Sequence, residues 1–130
     1  MKKITISLGA SETAEACKQF LTEKGFTLFA DIDHQQNAGQ VGMTMPAARS
    51  LIFGKPEAGT RLMQQDICAA FDLPLRIAVV ENEADNHATV LMVPEGRDFA
   101  SRYALEESHP VLQAIDALLI ALTEKLNAKG

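Results

Sequence analysis

The sequence predicts an α+β fold: a mostly antiparallel sheet of about five strands, with helices on one face and a long C-terminal helix packed against it. Two features carry this prediction. Short segments in which apolar and polar residues alternate, the period of a half-buried strand, are separated by segments whose apolar residues return every three or four positions, the period of a helix. Their order, β-α-β-β-α-β-β-α-α, lets most strands lie beside one another as antiparallel neighbours. The 130 residues fit one domain, 1–130. With 47% hydrophobic and 22% charged residues the chain has the proportions of a globular protein, not of a disordered or fibrous one.

Ile4, Ile6 and Leu8 alternate with Thr5 and Ser7, and Gly9 stops this first strand. Ser11 is placed to cap a helix whose stripe is Ala14, Cys17, Phe20 and Leu21 and whose stop is Gly25. The second strand runs from Phe26 to His34. Phe26, Leu28, Ala30 and Ile32 share one face, Thr27, Phe29, Asp31 and Asp33 the other, and His34 falls on the apolar side at the end. Gln35 to Ala47, with Asn37, Gly39, Gly42 and Pro46, reads as a mobile loop with room for a short helical turn.

Leu51-Ile52-Phe53, apolar on both faces, marks Ser50 to Gly54 as an interior strand. Pro56 then opens a helix with Leu62, Met63, Ile67, Ala70 and Phe71 toward the core, a break available at Asp66 and an end at Pro74. Leu75 to Glu81 is the fourth strand. Asn82 to Asn86 turns it into a second hairpin arm, His87 to Val93, closed by Pro94. A short helix around Arg97 to Leu105 pairs Phe99 with Tyr103, and Ser108-His109-Pro110 starts the last helix, residues 110 to 127. There Val111, Ile115, Leu118, Leu119, Leu122 and Leu126 give the strongest periodic signal in the chain.

Charge excludes some partners. Twelve basic against 17 acidic residues leave a net charge of −5 with no basic cluster, so neither nucleic acid nor an anionic membrane surface finds the positive field it needs. No apolar run approaches membrane-spanning length, and the Met1-Lys2-Lys3 start is too short and polar to read as a signal peptide. Cys17 and Cys68 match no metal or redox spacing and read as core or near-core thiols, which points to a reduced, cytoplasmic protein. No cofactor motif is present.

The strand-to-helix turn Gly54 to Thr60 invites comparison with a phosphate-binding loop but lacks the G-x-x-x-x-G-K-[ST] order, with Arg61 after Thr60. A turn that merely aims the helix, or a weaker anion contact helped by Lys55 or Arg61, are the readings left. Asp31, Asp33 and His34 form the densest titratable cluster. Strand alternation puts the two carboxylates opposite His34, which argues against a shared metal; Asp33 capping the next turn, with His34 at the edge of the core, and a ligand contact are the alternatives. Arg76 reads as a solvated or ion-paired residue on the open sheet face, with Asp72 four residues before it. No motif surrounds any Ser or Cys as a nucleophile. Met43, Met45, Met63 and Met92 serve either as core filler or as a soft pocket lining.

Ile32-Asp33-His34, then Leu51-Ile52-Phe53-Gly54-x-Pro56 with Gly59-Thr60-x-Leu62-Met63, then Asp72-Leu73-Pro74-Leu75-Arg76, resemble family 302 of the domains of unknown function in order and spacing. The resemblance implies a curved antiparallel sheet gripping a long helix, a fold like that of the TATA-binding-protein group, and no established activity. It carries over Asp33, His34, Gly54, Pro56, Gly59, Thr60, Asp72 and Arg76 as a site or a structural signature. Lys55 departs from the Asn usual before Pro56, and Leu91-Met92-Val93-Pro94 departs from a Tyr-Asn-Asp-Pro type of ending.

The expected function is a noncatalytic domain that binds or senses a small, partly apolar or anionic ligand at Asp33, His34, Gly54, Gly59, Thr60, Asp72 and Arg76, brought together in space with the Gln35 to Pro46 loop as a lid. The alternatives are a small enzyme using Asp33 and His34 as an acid and base pair, and a structural or protein-interaction dimer. Apolar residues on both faces of the fourth strand, and Phe29 on an otherwise polar face, predict a homodimer.

Overall fold

The computed structural model describes residues 1–129. Strands β1 (Lys2–Ile6), β2 (Thr27–Asp33), β3 (Ala48–Gly54), β4 (Leu75–Asn82) and β5 (Ala88–Val93) form one sheet in the order β1-β5-β4-β3-β2, every neighbour antiparallel. The helices are α1 (Ala10–Glu23), α2 (His34–Gln40), α3 (Pro56–Gln65), α4 (Gly96–Arg102) and α5 (Pro110–Lys129). Short 3-10 segments cover Ile67–Asp72 and Glu83–Asp85.

The sequence order explains the layering. Leu51 and Phe53 of β3, Leu75, Ile77 and Val79 of β4 and Leu91 and Val93 of β5 point to one face. Against them α1 sets Ala14, Cys17, Phe20 and Leu21, and α5 sets Leu112, Ile115, Leu119, Leu122 and Leu126, in a single core cluster. The alternate residues Ile52, Ala78, Val80, Val90 and Met92 face the other way and are half-buried, with Arg76 exposed among them. One face of the sheet is therefore covered by long helices and the other is not.

Several boundaries differ from the sequence reading, each for a local reason. The first strand starts and ends two residues earlier because Lys2 to Ile6 are the residues that pair with Val93 to Thr89, and Gly9 rather than Ser11 caps α1. The loop expected to have room for a short helical turn contains α2, seven residues long, whose start is capped as one reading has it: the Asp33 carboxylate accepts the Gln36 N–H at 3.0 Å. This helix buries nothing, so no apolar period announces it.

At Asp66 the break is complete. Its carboxylate accepts the N–H of Ala104 at 2.9 Å and of Cys68 at 3.0 Å, and these bonds hold it below the usual carboxylate range. The tighter 3-10 winding beyond it turns the expected core residues Ile67 and Phe71 outward, to 72% and 87% exposure, and leaves Cys68 exposed while Ala69 is buried. In the last helix Leu112 is buried and Leu118 only partly so. His87 belongs to the turn, where Asn86 and His87 take φ of 53° and 61°.

Candidate functional site

The two ends of the β2–β3 pair have different chemistry, and a bulge creates the difference. Leu28 pairs with Phe53 but Ala30 pairs with Ile52, so Phe29 is an extra residue in β2. Beyond it the faces exchange. Asp31 and Asp33, opposite Leu51 and Arg49, turn to the helix-covered face, and Ala30 and Ile32 to the open one, the reverse of unbroken alternation. Asp31 therefore meets α1. Arg49 donates through Nε to Asp31 at 3.0 Å and through Nη2 to Glu15 at 2.8 Å, while Lys18 donates to Asp31 at 2.9 Å and Glu15 at 3.2 Å. The Arg49 guanidinium holds both carboxyls below their ordinary values, and Asp31 in turn raises Lys18.

At the other end lies an apolar cleft of about 380 Å³. One wall is the turn into α3, with Gly54, Lys55, Ala58, Gly59 and Thr60; the floor is Leu62, Met63 and Leu75; the remaining walls are Phe26, Phe29, Leu73, Pro74 and the start of α5 at Val111, Ala114 and Ile115. The peptide between Leu73 and Pro74 is cis. At Gly54 an added Cβ would lie 3.4 Å from the Phe29 ring and 3.6 Å from Pro74, so a bare backbone keeps this corner open. Lys55 Nζ sits 4.5 Å from the centre of the Phe26 ring, a cation held over an aromatic face. Among the described residues it is the one charged side chain in the lining.

Of the seven expected site residues, Gly54, Gly59 and Thr60 line this cleft. The other four do not join them. Asp33 pairs with Arg49 and Gly54 with Thr27, opposite ends of the same two strands, which at about 3.3 Å per residue along β3 lie roughly 16 Å apart. His34, expected at the core's edge, is exposed at the start of α2 with Nε2 2.9 Å from Ser50 Oγ. Asp72 faces α4, accepting from the Tyr103 hydroxyl and, at 3.1 Å, from Arg102. Its proximity pushes the Tyr103 hydroxyl up to about 12. Arg76 is exposed on the uncovered sheet face opposite Ile52, away from Asp72. The expected convergence on one site is thus replaced by separate positions, and α2, at the Asp33 end, is no lid for the cleft.

Sequence reasoning named Lys55 only as a helper of a weak anion contact at the turn, and missed the wall supplied by Phe26, Leu73, Val111 and Ile115, because apolar residues at strand and helix spacing read as core. The usable signal was Lys55, a lone cation between Gly54 and Pro56. Of the four candidate methionines only Met63 lines the cleft. Among the described residues no three His, Cys, Asp or Glu side chains gather as metal ligands, and no helix is long and apolar enough to cross a membrane.

Fold and cleft together define a small α+β domain, one antiparallel sheet with helices over one face and a ligand-sized apolar opening at its end. The chain belongs to the family described as domain of unknown function DUF302, which matches residues 2–122. The fold is similar to that of an uncharacterized conserved DUF302 protein from Bacillus stearothermophilus, with a TM-score of 0.76 at 17% identity over 96% of both chains. Part of the chain is also similar to curated proteins. It is 33% identical over 72 residues to the fluoride-specific ion channel FluC 1 of Brucella suis biovar 1, covering 55% of this chain and 28% of that protein. The same identity and length hold for FluC 1 of Brucella abortus biovar 1, of which 27% is covered. The chain thus spans under a third of the length of these relatives.

Proposed function

We propose that this domain is a noncatalytic, cytoplasmic binding or sensing module whose cleft at the end of β3 takes a small, largely apolar ligand. The observation that carries this reading is the cleft itself: about 380 Å³, walled by apolar side chains and two glycines, with Lys55 and Thr60 as its side-chain polar groups. Such a lining gives affinity by removing apolar surface from water and leaves orientation to a few polar contacts. Catalysis by Asp33 and His34 is less well supported, since neither lines the cleft and Asp33 is occupied in capping α2. The likeness to 28% of a fluoride channel supports a shared module, not conduction by this chain. Thermal-shift screening of wild type and Gly59→Leu with neutral and charged aliphatic and aromatic probes tests the proposal. Stabilisation of wild type that Gly59→Leu abolishes supports it, and an equal response of both overturns it.

A second reading, of assembly, rests on the uncovered sheet face. Ile52, Ala78, Val80, Val90 and Met92 form an apolar patch there, and the exposed surface of 7425 Å² exceeds the roughly 6,700 Å² that area scaling gives a monomer of this length. We infer a homodimer joined through this face. A dimer mass in light scattering at micromolar concentration, halved by Val90→Lys, supports it; a monomer mass for wild type removes it.

A further inference from the structure

The structure carries a commitment about the head of the ligand, which rests on the cleft being a binding site. We propose that the cleft takes an aliphatic monocarboxylate, its apolar part against the apolar wall and its carboxylate at Lys55. The local charge is the first ground. Lys55 is the one charged side chain in the lining, and among the described residues no carboxylate pairs with it. A cation at the edge of an apolar wall, with no acidic neighbour bonded to it, gives the cleft a positive field.

Placement is the second ground. The ammonium stands 4.5 Å from the centre of the Phe26 ring, and its terminal carbon lies 3.6 Å from where a Cβ on Gly25 would project. The side chain is thus seated against the molecule, so less motion is lost when an anion pairs with it. The start of α3 contributes little beyond this, because the N–H groups of Ala58 and Gly59 already bond to Lys55 O at 3.1 and 3.2 Å. Side-chain recognition of a charged head therefore rests on the Lys55 ammonium, with the Thr60 hydroxyl as the other side-chain polar group of the lining.

That ammonium selects the class. One ammonium balances one negative charge. A phosphate-like dianion would leave a surplus charge beside apolar carbon, which is costly. A neutral alcohol would leave the ammonium unmatched. The part of the lining formed by Met63, Val111 and Ile115 offers no side-chain hydrogen bonds, and so suits methylenes.

The test uses decanoate and decanol, both below their aggregation limits, titrated into wild type, Lys55→Met and Gly59→Leu and followed by calorimetry and amide chemical shifts. Lys55→Met keeps the length and apolar body of the side chain while removing its charge. Gly59→Leu puts a bulky side chain at the cleft wall: a Cβ there would lie 3.8 Å from Leu73 and 4.0 Å from Met63, ordinary contact, and an unchanged or raised unfolding midpoint verifies that the variant is folded. The expected result is that wild type prefers decanoate, that Lys55→Met loses decanoate affinity by roughly tenfold or more while decanol is unaffected, and that Gly59→Leu loses both. Equal wild-type affinity for decanol and decanoate, or a Lys55→Met variant that binds decanoate undiminished, overturns the carboxylate assignment and leaves the apolar cleft standing. No binding of either probe to wild type overturns the assignment, and if the wider probe screen is blank as well the binding reading falls with it.

Discussion

At the Asp33 end of the β2–β3 pair, Glu15, Lys18, Asp31 and Arg49 satisfy one another; at the Gly54 end, an apolar cleft holds Lys55 with no carboxylate bonded to it among the described residues. The first end is richer in titratable groups and the poorer candidate for binding. A ligand arriving there would have to displace partners already in place, gaining little for each bond it breaks. Arriving at the cleft it meets apolar carbon in contact with water and a cation with no carboxylate bonded to it among the described residues, both of which improve on contact. What marks a receptive surface is imbalance, not density of charge.

Predictions that break or sharpen this contrast run from large to small. Leu62 is fully buried beneath the cleft, and Leu62→Ala should cost about 2–5 kcal/mol in denaturant unfolding, because it opens a cavity in the core. A cost under about 1 kcal/mol would mean the cleft floor is separate from the core. At the charged end, Arg49→Met strips the shared donor from Asp31 and Glu15 and should cost about 1–3 kcal/mol at neutral pH.

The pH dependence of that loss has a definite sign. Folded Asp31 and Glu15 lie below their ordinary values of 3.8 and 4.5, so they stabilise the fold above those values, and that contribution is lost as pH falls through the folded values. Unfolding curves from neutral to acid should therefore show wild type and Arg49→Met converging at low pH. Parallel curves would rule the charge cluster out as the cause.

Smaller effects separate the two ends further. Gly59→Ala, in helical backbone with room for the methyl, should raise stability by about 0.5–1 kcal/mol while narrowing the cleft. Loss of stability would show that the open space at Gly59 is needed for folding. His34→Ala, exposed and bonded to Ser50 alone among the described residues, should change stability by less than about 0.5 kcal/mol and leave probe binding in the cleft unaltered.

Most of the architecture was legible because it follows from period. The alternation of Ile4 and Ile6, the continuous apolar run Leu51-Ile52-Phe53 and the repeat from Val111 to Leu126 each match the element found. What escaped was punctuation. Inserting Phe29 into β2 leaves composition unchanged and reverses the face of every later residue, which is how Asp31 came to pair with Arg49 and Lys18. A switch from α to 3-10 winding at Asp66 moved Ile67 and Phe71 from core to solvent by the same kind of slip. The candidate site was legible in part. Gly54, Gly59 and Thr60 were found because a strand-to-helix turn with glycines is a recognisable local pattern. Lys55 was legible only as a helper of an anion contact at that turn, because having no bonded carboxylate among the described residues is a property of the surroundings in space.

The bulge has a consequence for how the protein behaves in a crowd. β2 is a terminal strand of the sheet, and its outer edge carries backbone groups free to template another chain. A straight seven-residue edge ending in apolar side chains would invite that pairing. Because β2 changes face at Phe29, an incoming regular strand can match its side chains on one half only. Past that point the covered face carries charged Asp31 and Asp33, bound to groups of its own fold. The residue that sets Asp31 against Arg49 thereby also guards the sheet against growing into fibrils, and a deletion of Phe29 should express as aggregation before it registers as lost binding.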